Sequence, residues 1–112
     1  MENVICRAEL HDATTREQYG AFHAGMVQLG LEQTIARDGR ISHLPTGMYL
    51  GLNLTTSLEL LAIKISELAI RITGCPCKLV LVPVDVANIR TLCLEEEIPS
   101  YASELGVSMF GL

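Results

Sequence analysis

The apolar positions of the chain change period several times, and each change marks an element. In VICRAEL, Cys6, Ala8 and Leu10 alternate with Ile5, Arg7 and Glu9. That two-residue period is the signature of a half-buried strand. In ATTREQYGAFHAGMVQLG the period lengthens. Tyr19, Phe22, Met26 and Leu29 recur at three and four residues and form the apolar stripe of a helix. Thr14 and Glu17 have the spacing of a capping box at its start, and Gly30 stands where such a helix stops. Gly20 and Gly25 each weaken the helix by about 1 kcal/mol relative to Ala, or mark close packing.

LEQTIA returns to strand spacing, with Leu31, Gln33 and Ile35 on one face. RDGR centres on Asp38-Gly39, a strong short-range hairpin signal. ISHL carries the returning strand until Pro45 and Gly47 interrupt it. MYLGLNL alternates, which predicts Met48, Leu50, Leu52 and Leu54 facing in and Tyr49, Gly51 and Asn53 facing out. TTSLELLAIKISELAIRITG predicts a second helix, with Thr56 and Glu59 as its capping box and Gly74 as its stop. Leu60, Leu61, Ile63, Leu68 and Ile72 span a wide arc, so this helix is expected to be well buried. CKLVLVPV is a near-continuous apolar strand, as in a sheet interior or an interface. Beyond it, Val86, Ile89, Leu92 and Cys93 suggest a short helix. Glu95–Glu97 reads as solvated surface, and the apolar VSMFGL suits a sheet edge or a partner.

The order β-α-β-β-α-β predicts an α+β chain of the ferredoxin-like sandwich type, with both helices on one sheet face. Residues 1–85 form this domain, and residues 86–112 are a C-terminal extension that packs on it or on a partner. The open sheet face is expected to carry Arg7, Glu9, Tyr49 and Asn53 unless a second subunit covers it. Long apolar edges are usually covered, so the KLVLVPV strand predicts a homodimer.

Composition narrows the function classes. The 112 residues suit a single domain, and 49% hydrophobic content places the chain among folded globular proteins. Aromatic residues make up 4% and Trp is absent, so the core must be built from Leu, Ile, Val, Ala and Met. The net charge of −5 argues against indiscriminate nucleic-acid binding while leaving room for a local basic patch. Six of the eight basic residues are Arg, the better residue for planar phosphate contacts. No run of about 18 apolar residues is free of charge, so no membrane span is expected. MENVICRAEL has no basic stretch followed by an apolar one, which makes a cytoplasmic location the expectation. Four cysteines without a leader do not predict a disulfide framework, and Cys6 and Cys93 read as small core residues.

Four groups carry candidate chemistry. His11 and Asp12 follow the first strand. Asp12 suits a divalent metal for phosphodiester cleavage and His11 a general base, or both are a polar strand end that helps start the helix. His23, one residue beyond Phe22, faces solvent or a groove, as a packed histidine or a catalytic or RNA-contacting one. Arg37, Arg40 and His43 flank the hairpin, either as phosphate contacts or as solubilising charges on a turn. Cys75 and Cys77 offer two thiolates, short of the four ligands of a structural zinc site, and Pro76 between them shapes a turn. No metal site or cofactor is expected, save a divalent metal if the protein is a nuclease.

The first strand followed by YGAFHAGMVQLGLEQTIARDGRISHLPTGMYLGLNLTTSLEL resembles a family of small bacterial proteins similar to the endoribonuclease antitoxins of type V toxin–antitoxin systems. The likeness runs from about Val4 to Val84. It rests on the aromatic-plus-Met helix, the Gly-containing hairpin, the HLP break and the Thr-Thr-Ser entry to the second helix. The resemblance implies a ferredoxin-like fold, related to the small ribonuclease-like proteins of CRISPR adaptation, and action on a toxin's messenger RNA. It makes His23 the equivalent of a basic residue on the first helix of the antitoxins. Asp12 is the residue nearest the carboxylate that the CRISPR proteins carry at the end of strand one. Asp12 and His23 are then the catalytic candidates, and Arg37, Arg40 and His43 the RNA-binding ones. Two functions stand side by side: a regulator that binds or cleaves RNA, and a non-catalytic homodimer that binds another protein. The second would use the open sheet face or the acidic C-terminal segment. A small-molecule binder ranks last, since no convergent polar pocket is evident.

Overall fold

The computed structural model describes residues 1–96. Glu97 of the acidic run and the VSMFGL ending, expected to cover an edge or a partner, lie outside the described residues. The chain is a mixed α+β structure. Its elements are β1 (Glu2–Glu9), α1 (Arg16–Gln28), β2 (Leu31–Glu32), β3 (Thr34–Arg37), β4 (Arg40–His43), β5 (Met48–Leu54), α2 (Leu58–Thr73) and β6 (Lys78–Pro83), followed by a 3₁₀ turn at Val86–Asn88. Four strands form an antiparallel sheet in the order β2-β5-β1-β6, and β3 and β4 form a separate hairpin.

The alternation in β1 sends its residues to two different cores. Cys6, Ala8 and Leu10 meet Phe22 and Met26 of α1 and Leu61, Ile65, Leu68 and Ala69 of α2. Ile5, on the opposite face, packs with Met48, Leu50, Ile35 and Leu44, joined by Ile89 and Leu94. The helices therefore cover one face of the sheet, and the β3–β4 hairpin with the following C-terminal segment covers part of the other.

This double cover corrects the face assignment of β5. Tyr49 is buried, only 1% exposed, and belongs to the helix-side core, and Gly51 is buried as well. Met48 and Leu50 face the hairpin. The alternation was real, but both faces of the strand are covered, so polarity does not tell inside from outside. Gly51 is required by close packing: a Cβ there would stand 2.9 Å from a Leu31 methyl and 2.6 Å from one of Leu54. Leu52, expected inside, is 52% exposed. Between Leu52 and Leu54 the strand takes one extra residue, since Glu2 pairs Leu54 but Val4 pairs Gly51. Asn53 adopts a left-handed φ of 53°, the conformation Asn tolerates best among residues with a side chain. Its N–H is held by Asn3 Oδ1 at 2.8 Å. The bulge turns Leu54 back onto the helix-side core.

LEQTIA breaks into two strands for a related reason. Leu31 belongs to the helix side and Ile35 to the hairpin side, so the chain must bend at Gln33, whose carbonyl accepts from Leu44 N–H at 2.7 Å. The hairpin itself turns through Asp38 (φ 52°) and Gly39 (φ 75°), the paired positive φ that a two-residue turn demands.

Both helices start one residue later than the spacing predicts. Thr15 caps α1, accepting from Gln18 N–H at 3.1 Å while Gln18 Oε1 accepts from Thr15 N–H at 2.9 Å. Gln18 also donates to the Ile72 carbonyl at 3.2 Å, which fastens the start of α1 to the end of α2. That second contact is what selects Gln18 over Glu17. Ser57, rather than Thr56, caps α2 through Leu60 N–H. Gly30 (φ 88°) and Gly74 (φ 78°) end the helices as expected. Only one stripe of α2 is covered. Leu61, Ile65, Leu68 and Ala69 are buried, whereas Leu60, Ile63 and Ile70 are about half exposed, because a single sheet covers a single side of a helix. Past β6, the short helix shrinks to the 3₁₀ turn. Leu92 and Cys93 are exposed, so of the two cysteines read as core residues only Cys6 is buried.

At Gly25 the first helix packs tightly on the second: a Cβ there would lie 2.6 Å from a methyl of the buried Leu68. Gly20, five residues earlier, has open space. Gly25→Ala is therefore expected to destabilise the protein by about 1–3 kcal/mol through overpacking. Gly20→Ala should stabilise it by about 0.5–1 kcal/mol through helix propensity. Urea unfolding of the two variants beside the wild type measures the opposite signs.

Candidate functional site

Burial of Tyr49 explains the most distinctive polar contact in the protein. Its ring packs edge-on against Phe22 at 6.3 Å between centroids, and its hydroxyl would be stranded in the apolar layer without a partner. His23 supplies one: the hydroxyl is hydrogen-bonded to His23 Nδ1. The imidazole also lies near the rings of Tyr19 (6.2 Å) and Tyr49 (5.8 Å). Burial lowers the His23 pKa from its ordinary 6.5, so the ring is neutral at physiological pH and Nδ1 is free to accept from the phenol. Burial, with Cys6 and Tyr19 nearby, raises the Tyr49 pKa and keeps its proton in place.

The thiols of this layer are protonated too. Burial pushes the Cys6 thiol up to about 12, with the nearby Cys77 adding to the effect. Cys77 is raised by burial as well. A thiol held in this form is a poor nucleophile and a poor metal ligand. Among the described residues, no three His, Cys, Asp or Glu side chains are grouped so as to hold a metal ion.

The hairpin gathers Arg37, Arg40 and His43, and the C-terminal segment runs beside them. Arg37 Nη2 donates to the Val86 carbonyl at 2.6 Å. Arg40 pairs with Glu96 at 3.3 Å, both side chains more than half exposed. His43 N–H donates to the Glu95 carbonyl at 2.8 Å, and Ser42 bridges to Glu96 as in an antiparallel ladder. Ile89 and Leu94 anchor the segment in the apolar cluster beneath. Residues Val86 to Glu96 thus form a strap over the hairpin. Glu95 and Glu96, read from the sequence as solvated surface, make its closing contacts.

Asp12 stands elsewhere. It is exposed on the turn after β1, where His11 Nδ1 accepts from Ala13 N–H at 3.1 Å. Asp12 lines a shallow cleft of about 170 Å³ with Glu9, His11, Pro76 and Lys78, whereas His23 packs on Tyr49. Asp12 thus stands on the turn after β1 and His23 on α1, while Arg37 and Arg40 face each other across the hairpin and His43, three residues along β4, lies on its alternate side. A second cleft of about 180 Å³ between the helices is lined in part by Gln28, Lys64, Glu67 and Arg71.

The remaining feature is the edge of the sheet. β6 pairs with β1 on one side only, and among the described residues its outer side meets no strand. Val80 and Val82 are 59% and 44% exposed on the face away from the helices, opposite Arg7 and Ile5 of β1. Among the described residues, no helix is long and apolar enough to cross a membrane.

Tyr49 and Glu96 are the participants that sequence reading missed. The phase of MYLGLNL pointed Tyr49 outward. The available signal was Asn53, a residue suited to a bulge, which allows the strand to change phase before Leu54. Nothing local marks Glu96 as a partner of Arg40, since 56 residues separate them. No family model, curated protein or solved structure matches the chain.

The lowered pKa of His23 gives stability a pH dependence with a definite sign. The unfolded chain takes up a proton near pH 6.5 and the folded chain only below that. Stability is therefore complete above this value and falls as the solution is acidified through it. Thermal unfolding between pH 5 and 8 should show this loss in the wild type and a flatter profile in His23→Gln. An unchanged profile would remove His23 as its source.

Proposed function

We propose that the chain is a non-catalytic, homodimeric protein-interaction module with a ferredoxin-like core. The fold part of this reading is supported by strand order and layering. If the bent β2–β3 segment counts as one strand and β4–β5 as the next, the four sheet strands follow one another in space as second, third, first, fourth. Both helices pack on the same face.

The interaction part rests on one observation: β6 is an edge strand whose outward valines, Val80 and Val82, remain exposed. Such an edge offers a row of main-chain donors and acceptors beside β-branched side chains, the ordinary template for pairing with another strand. A two-fold axis across β6 places the same strand of a second copy antiparallel to it, which satisfies both edges with one self-complementary surface. Lys78 at one end and Pro83 at the other limit the pairing to the apolar middle. The negative net charge and the engagement of Arg37 and Arg40 by the strap favour a protein partner over a nucleic acid.

His23 favours a second reading, the RNA-cleaving regulator that the family resemblance implies. A half-buried histidine at the rim of the core, its Nδ1 held by a buried phenol, directs Nε2–H as a donor from which a phosphate oxygen can accept.

Val80→Lys/Val82→Lys should convert a wild-type dimer to a monomer in sedimentation equilibrium at micromolar concentration, with an unchanged circular dichroism spectrum. A wild type that sediments as a monomer overturns the proposal. For the second reading, RNA incubated with the wild type, with and without Mg²⁺ or Mn²⁺, should be cut, and His23→Gln should abolish cutting. Intact RNA with both proteins discards it.

A further inference from the structure

The strap is seated on the hairpin as a ligand would be. His43 N–H meets a strand carbonyl at Glu95, the Arg40 guanidinium meets the carboxylate of Glu96, and Leu94 enters the apolar cluster of Ile35, Leu44 and Leu50. A main-chain donor, a cation one residue further along and an apolar pocket one residue back together recognise an extended Leu-Glu-Glu sequence. This is β-strand addition, with the backbone giving affinity and the side chains giving the choice of sequence. The occupant's polar end is lightly held: the Arg40–Glu96 pair is exposed on both sides, where solvent screens it.

We propose that the outer edge of β4 is a docking site for an acidic, extended peptide segment of a partner protein, and that Leu94–Glu96 occupy it in cis. A nucleic acid fits less well. It cannot supply the strand carbonyl to His43, and Arg37 is already engaged by Val86. The inference adds a second surface to the interaction reading. It makes no use of β6, so the two stand or fall by different measurements.

A cis occupant lowers the apparent affinity of an outside peptide by the fraction of time the site is open. The test uses the full chain carrying Leu94→Asp/Glu96→Lys. These changes eject the leucine from its cluster and set a lysine against Arg40. The probe is a labelled synthetic peptide LSLEEE, which copies residues 92–97 with serine for the cysteine. The His43 amide should exchange faster in the variant than in the wild type, and the peptide should restore its protection. Affinity should rise about tenfold over the wild type, and Arg40→Glu added to the variant should reverse that gain. The peptide LSLKKK should not bind. Equal affinity for wild type and variant, or binding indifferent to Arg40, overturns the proposal. Tighter binding of a single-stranded RNA oligonucleotide than of LSLEEE overturns it as well. Should the double variant lose its fold by circular dichroism, Glu96→Lys alone, at an exposed position, carries the same comparison.

Discussion

The need to cover both faces of β5 governs the whole arrangement. Tyr49 and Gly51 turn toward the helices, while Met48 and Leu50 turn toward the hairpin. Neither set tolerates water, so one strand requires two layers of cover. The helices supply the first with Phe22, Met26, Leu61 and Ile65. The β3–β4 hairpin is too short to seal the second alone, with only Ile35 and Leu44 buried from it and its flank. Ile89 and Leu94 of the strap complete that cluster. Without the demand from β5, the chain past β6 would have nothing to fold back onto.

Polar chemistry follows from the same constraint. A tyrosine at the centre of a covered strand brings a hydroxyl into an apolar layer, and that hydroxyl must be paired. The layer around it also raises the pKa of the Cys6 and Cys77 thiols, which stay protonated. His23, one residue along α1 from the buried Phe22, lies at the rim where a ring nitrogen can reach the phenol and the ring can still meet solvent. The histidine is neutral because it lies against that layer, and oriented because Tyr49 needs it. Both properties come from packing.

Much of this was legible in the sequence where the signal is local. The split of β1 into two faces, the Asp38-Gly39 turn and the glycine stops at Gly30 and Gly74 follow from the conformation each residue allows. Helix starts shifted by one residue because adjacent threonines and serines are equally good caps, and a contact elsewhere in the fold chose between them. The phase of β5 was not legible, since alternation marks a buried face only when the other face is wet. Nor was the strap. Its acidic end is opposite Arg40 only after two distant segments have packed, and a run of glutamates looks the same whether solvated or seated. Of the candidate site residues, the pattern correctly grouped Arg37, Arg40 and His43 on one hairpin. It had no means of finding that a carbonyl at Val86 and a carboxylate at Glu96 already face the two arginines.

The strap stops short of β6, whose face away from the helices stays exposed among the described residues. The hairpin and strap gather over β5 and the near side of β1, where Ile5 is half-buried. Opposite Ile5 lies Val82, and opposite Arg7 lies Val80, both beyond that cover. Of the sheet's three longer strands, β5 is thus sealed on both faces, β1 partly sealed and β6 covered only by helices. Across β4 the protein fills a strand edge with its own chain, and across β6 the described chain leaves one open. The two edges share the same main-chain chemistry, and what separates them is whether a described segment of the chain lies within reach.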